Sequence, residues 1–117
     1  MTTLREVKEQ IEADPENQCI YLMDFVDDFR YYKNARMVAE PFELSDECID
    51  ALLASTAEAL CDELGIEAPE WLAGVPACRD PYFVSGLENL KAISIVQSPL
   101  RFRIRKIFVL ENFLSRV

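Results

Sequence analysis

The sequence predicts a mainly α-helical protein: a compact bundle of about five helices in one domain spanning residues 1–117, with a short extended piece near the C-terminus. Two observations carry this. Apolar residues recur at three- and four-residue steps over most of the chain, and hydroxyl, aspartate, proline and glycine residues bracket those stretches as start and stop signals. A chain of 117 residues buries about two-thirds of its unfolded surface, enough for one core.

Thr3-Leu4-Arg5-Glu6 has the capping-box form, and Leu4, Val7 and Ile11 follow at helical spacing, so a first helix runs to about Asp14. Asp14-Pro15 restarts a helix, with the carboxylate as N-cap and proline at the first position, where its missing N–H is not needed. From Cys19 to Tyr32 the apolar set Cys19, Leu22, Met23, Val26 and Phe29 forms one face, with Asp24, Asp27, Asp28 and Arg30 largely on the other. Lys33 to Leu44 loses the pattern, contains Pro41 and reads as a loop.

Ser45 opens the clearest element, in which Ile49, Leu52, Leu53, Leu60, Cys61 and Leu64 share a stripe that Gly65 ends as a left-handed residue. Pro69-Glu70-Trp71-Leu72 reads as one helical turn started by proline, and Gly74 to Pro81 as a turn-rich link. Ser85 to Gln97 predicts a further helix, terminated by Ser98-Pro99. Leu100 to Ile107 fits a strand and a helix equally in period; the reading adopted is a short helix from Pro99 to about Lys106, an extended Ile107-Phe108-Val109 and a last turn from Glu111 to Arg116.

Charge is distributed unevenly. The last seventeen residues hold Arg101, Arg103, Arg105, Lys106 and Arg116 against Glu111 alone, a net of +4, inside a chain whose net charge is −9. Such polarity marks a place where an acidic body folds back on itself or meets a partner. An acidic chain opposes polyanion binding, because phosphate contacts need Lys or Arg. The longest charge-free stretch, Ala92 to Leu100, is nine residues, too short for a membrane span of about twenty. With no apolar leader after Met1, a cytoplasmic location is expected.

The chain has no histidine, which removes the commonest general base, the usual zinc ligand and Ser-His or Cys-His nucleophile pairs. Cys19, Cys48, Cys61 and Cys78 match no metal-ligand spacing and are expected to be buried, inert thiols. Asp24, Asp27 and Asp28 share a helix face; a solvated acidic surface, pairing with Arg101, Arg103 or Arg105, and a Mg²⁺ site are the three readings. No Gly-rich phosphate cradle accompanies them. Arg101, Arg103 and Arg105, interleaved with Phe102, Ile104 and Phe108, suit packing on the acidic body, a protein-partner surface or single-strand nucleic-acid binding. Trp71, Tyr82 and Phe83 are large anchors on short irregular pieces, suited to core packing or to an interface.

The run Asp80-Pro81-Tyr82-Phe83-Val84-Ser85-Gly86 through Ser98-Pro99-Leu100-Arg101-Phe102-Arg103-Ile104-Arg105-Lys106-Ile107-Phe108-Val109, preceded by Pro69-Glu70-Trp71-Leu72, resembles a group of small bacterial proteins. These form the antitoxin half of toxin–antitoxin pairs encoded beside a nucleotidyltransferase-like toxin. The similarity covers roughly the last fifty residues. It implies a mainly helical, non-enzymatic protein that binds and neutralises a cognate partner, and it brings no catalytic residues.

The expected function is therefore that of a protein-binding module, with no enzyme activity, cofactor or metal, and with partner-binding candidates Trp71, Tyr82, Phe83, Arg101, Arg103 and Arg105. The expected partner is the cognate toxin, with room for a homodimer. The alternatives are a nucleic-acid-binding protein using the basic C-terminal segment and a small metal-dependent enzyme using Asp24, Asp27 and Asp28.

Overall fold

The computed structural model describes residues 2–79, 82–83 and 100–108, the last of each strand and Leu100 by backbone alone. Five helices lie in these residues: α1 (Leu4–Ala13), α2 (Gln18–Tyr32), α3 (Glu47–Leu64), α4 (Glu70–Ala73) and α5 (Leu100–Arg103). Two short strands, β1 (Tyr82–Phe83) and β2 (Ile107–Phe108), pair in parallel, Tyr82 against Ile107. The mainly helical bundle with an extended piece near its C-terminus is thus present. The helix expected over Ser85–Gln97, Val109 and the turn expected over Glu111–Arg116 lie outside the described residues.

The start of α1 follows the sequence signal: Thr3 is extended and its Oγ1 accepts a hydrogen bond from the Glu6 amide at 3.2 Å. Leu4, Val7, Lys8 and Ile11 form its buried stripe. Asp14-Pro15 starts only a 3-10 turn, Pro15–Asn17. The Asp14 carboxylate does not cap the backbone, because it accepts side-chain bonds from Asn17 Nδ2 at 2.7 Å and Tyr21 Oη at 2.9 Å. Those two bonds, Asn17 first, hold the Asp14 carboxyl below its usual range, and the same contact raises the Tyr21 phenol.

α2 buries Leu22, Phe25, Val26 and Phe29. Cys19, expected on that face, is exposed, because the inward arc is set by Leu22 and Phe29 and passes through Phe25 one turn on. Lys33 ends the helix in the left-handed region at φ 51°. The segment 33–44 is no passive loop: a 3-10 turn, Ala35–Val38, is opened by Asn34 Oδ1 accepting from the Arg36 amide, and Met37, Val38 and Phe42 enter the core. Trp71 Nε1 donates to the Val38 carbonyl at 2.9 Å and its ring meets Phe42 edge-on at 5.3 Å, so α4 clamps this segment.

α3 is the hub, touching α1, α2, α4, α5 and β2. Its cap is Asp46, one residue after the Ser45 expected, because the Asp46 Oδ1 reaches both the Cys48 and Ile49 amides at 3.0 and 3.1 Å. Gly65 ends it at φ 70°. Every residue from Asp50 to Glu58 is buried, a run wider than the one-sided stripe the sequence shows. Ala51, Ala54, Ser55 and Ala57 make this feasible, since small side chains let neighbouring elements approach on several sides at once.

Ser55 Oγ and Thr56 Oγ1 are buried without a hydrogen-bond partner among the described residues. A hydroxyl in that state retains its desolvation cost, so Thr56→Val is expected to raise stability by about 1 kcal/mol, read from urea unfolding.

The C-terminal reading requires a correction of length. The expected helix to Lys106 stops at Arg103, and Arg105 and Lys106 amides close turns onto the Phe102 and Arg103 carbonyls at 3.1 and 2.9 Å, with Lys106 at φ 61°. Phe102 and Ile107 explain why. Both are fully buried, yet five residues apart, a spacing that a helix would turn to different faces.

The cysteines also depart from expectation. Cys61 alone is a free, buried thiol among the four: Cys19 is exposed, and Cys48 and Cys78, with Cα atoms 4.9 Å apart, form a disulfide. Their separation of 30 residues carries no pairing signal in sequence; the fold brings the first turn of α3 against the link before β1.

Candidate functional site

The basic C-terminal segment folds back onto the acidic hub. Glu58 and Asp62, one turn apart on α3, face Arg101 and Arg105, one turn apart in the segment. Arg101 forms a two-point pair with Asp62, Nε to Oδ2 at 2.9 Å and Nη2 to Oδ1 at 3.1 Å, and reaches Glu58 at 3.4 Å. Arg105 is buried. It pairs with Glu58 and donates to the Leu72 carbonyl at 2.6 Å and the Val75 carbonyl at 3.3 Å.

A second buried pair holds α1 to α3. Lys8 sits inside the apolar stripe of α1, pairs with Asp50, donates to the Glu43 carbonyl at 3.1 Å and lies 4.9 Å from the centre of the Phe42 ring. Asp50 also accepts the Ser45 amide at 2.8 Å. Neither Lys8 nor Asp50 was marked by any sequence signal; a lysine at an i+4 step between Leu4 and Ile11 is the one clue.

Of the six sequence candidates, Trp71, Arg101 and Arg105 are committed to contacts inside the fold. Tyr82 is half-buried, with its hydroxyl accepting from Gln18 Nε2 at 3.2 Å, and the Phe83 side chain lies outside the description. Arg103 is exposed and engaged. Of the described candidates, Arg105 is thus buried, and Trp71, Tyr82 and Arg101 are partly buried. Asp24, Asp27 and Asp28 receive neither Arg101 nor Arg105, and no group of three His, Cys, Asp or Glu placed to hold a metal occurs among the described residues.

The outward face of α2 emerges instead. Ile20, Asp24, Asp27 and Tyr31 succeed one another at four, three and four residues, opposite the buried arc of Leu22, Phe25, Val26 and Phe29. Ile20 is 58% and Tyr31 80% exposed. Cys19, Ile20, Met23 and Asp24 outline a shallow cleft of about 350 Å³ at the start of this face. Tyr31 is braced edge-on by Tyr32 at 4.9 Å, and Arg30 anchors the flank of the helix through a two-point pair with Glu63, both bonds 2.9 Å. An apolar side chain at each end and the Asp24 carboxylate between them make a surface suited to a cationic, partly apolar partner.

A second concavity, about 530 Å³, opens between α1, the 3-10 turn, the first turn of α3 and Tyr82. It is lined by the apolar Ile11, Pro15 and Ile49, by the polar Glu12, Asp46 and Gln18, and by Cys48.

No family model, curated protein or solved structure matches this chain.

Proposed function

We propose that this chain is a non-enzymatic, cytoplasmic protein-binding module that covers a basic surface of a partner with the outer face of α2. The observation that carries the reading is the exposed series Ile20, Asp24 and Tyr31 on α2, apolar at both ends, with the Asp24 carboxylate between, and turned away from the core. Folding supports it from behind: Arg101 and Arg105 are drawn onto Glu58 and Asp62, so these two cations do not neutralise Asp24. The resemblance of the last fifty residues extends the proposal to an antitoxin that neutralises a nucleotidyltransferase-like toxin, by blocking the basic surface such an enzyme uses for phosphate-bearing substrates.

A contact of this kind buries on the order of 1,600 Å² in total. The test is calorimetric titration of the purified chain against the product of the adjacent gene. A complex tighter than micromolar is expected, weakened at least about tenfold by Tyr31→Glu and by Ile20→Glu, because each puts a charge in place of a large side chain, which the partner would have to desolvate. Absence of a complex at micromolar concentration rejects the module reading; a complex indifferent to both substitutions rejects the α2 face.

A further inference from the structure

We propose that the Cys48–Cys78 disulfide is a thiol-exchange site, entered through the cavity beside α1 and selective for small cationic thiols. The site is independent of the α2 surface. Three observations place it. Cys48 borders the 530 Å³ cavity, whereas Cys78 does not border it and is 1% exposed. A thiolate admitted by the cavity therefore meets Cys48 before its buried partner, and access decides which sulfur is attacked.

The second observation is charge. Lys8, the one cation of the wall among the described residues, is already paired with Asp50 and lies 3.5 Å from Glu12. Glu12 and Asp46, both exposed, then leave the entrance negative. A thiol carrying an ammonium group is drawn in, and one with net negative charge is repelled.

The third is what the disulfide fastens. Cys78 donates its amide to the Arg105 carbonyl at 3.0 Å, and Tyr82 donates to the Lys106 carbonyl at 2.9 Å. The bond thus ties the start of α3 to the link that carries the β1–β2 pair. Exchange proceeds in two balanced steps. A thiolate RS⁻ attacks Cys48 Sγ, forming a mixed disulfide and breaking the Cys48–Cys78 bond, and Cys78 leaves as thiolate and takes up the proton that RSH released. A second RS⁻ attacks the R sulfur, expelling the Cys48 thiolate, which is protonated in turn; the two thiols are oxidised to RSSR and the protein disulfide is reduced.

The experiment uses the full chain with Cys19→Ser, an exposed position, and treats it with cysteamine, 2-mercaptoethanol or glutathione, quenching in acid and locating the adduct by peptide mass. Cys61 serves as internal reference: burial, with Asp62 and Glu58 beside it, pushes its thiol up to about 11, so it stays unlabelled near pH 8. Expected are one thiol before treatment in the denatured, aerobically purified chain, a first adduct on Cys48, and thiolate-corrected rates at low salt falling about three- to fivefold at each step from cysteamine to 2-mercaptoethanol to glutathione, converging in 1 M salt. Faster amide exchange at Cys78 and Tyr82 is expected after reduction. Three thiols at the outset, a first adduct on Cys78, glutathione outpacing cysteamine, or unchanged exchange at both amides overturns the proposal.

Discussion

Arg105→Met is expected to lower the stability of this protein by about 3–5 kcal/mol, a large part of the 5–15 kcal/mol by which a domain is ordinarily stable. Arg105 and Glu58 are each about 5% exposed at their side chains, so removing the guanidinium leaves a carboxylate in the interior. Its remaining contact is Arg101 at 3.4 Å, and Arg101 is already engaged by Asp62. The Val75 carbonyl loses a donor as well. With an m-value of about 1.5 kcal/mol/M, the urea midpoint falls by about 2–3 M. Glu58→Leu in the same chain is expected to restore most of the loss, since an apolar pair has no charge to desolvate; a double-mutant cycle over Arg105 and Glu58 then reports their coupling directly. A midpoint within about 0.5 M of the parent, under about 1 kcal/mol at that m-value, would show that the segment is not bolted to α3 by this pair.

Lys8→Met is the second large effect, also about 3–5 kcal/mol. The methionine keeps most of the stem that fills the α1 stripe, but Asp50, 2% exposed, is left with the Ser45 amide as its remaining hydrogen bond. The contact of the ammonium with Phe42 and its bond to the Glu43 carbonyl are lost together. Here a compensating Asp50→Leu restores less than the corresponding change at Glu58, because it strips the Ser45 amide of its acceptor. Guanidinium or thermal unfolding of the two double variants side by side checks the asymmetry; equal recovery would refute it.

Helix existence was legible where local chemistry is local: Thr3 with Glu6 opened α1, Gly65 closed α3, and Pro69 started α4. What the sequence did not disclose were choices made by tertiary contact. Asp46 takes the cap from Ser45 once Ser45 is drawn toward Glu12 and Asp50. Arg103 ends α5 because Phe102 and Ile107 must both reach the core. The candidate site shows the same division. The periodicity of α2 separated Asp24 and Asp27 from the apolar face, and the surplus of positive charge at the C-terminus marked a segment that either folds back on the body or meets a partner. Periodicity cannot say, however, that Trp71, Arg101 and Arg105 are held inside, nor that Cys48 meets Cys78, since those depend on partners about 30 to 47 residues away in the chain.

The crowding around the middle of α3 sets the terms on which this chain can diverge. Substituting a bulky residue for Ala51, Ala54, Ser55 or Ala57 would wedge the surrounding elements apart, whereas Ile20 or Tyr31 can change without disturbing any neighbour of the hub. A descendant that has altered its outer α2 face beyond detection would still carry a tract of short side chains flanked by an aspartate and a glutamate. That tract, and not the surface, is the hallmark by which distant kin of this protein are to be sought.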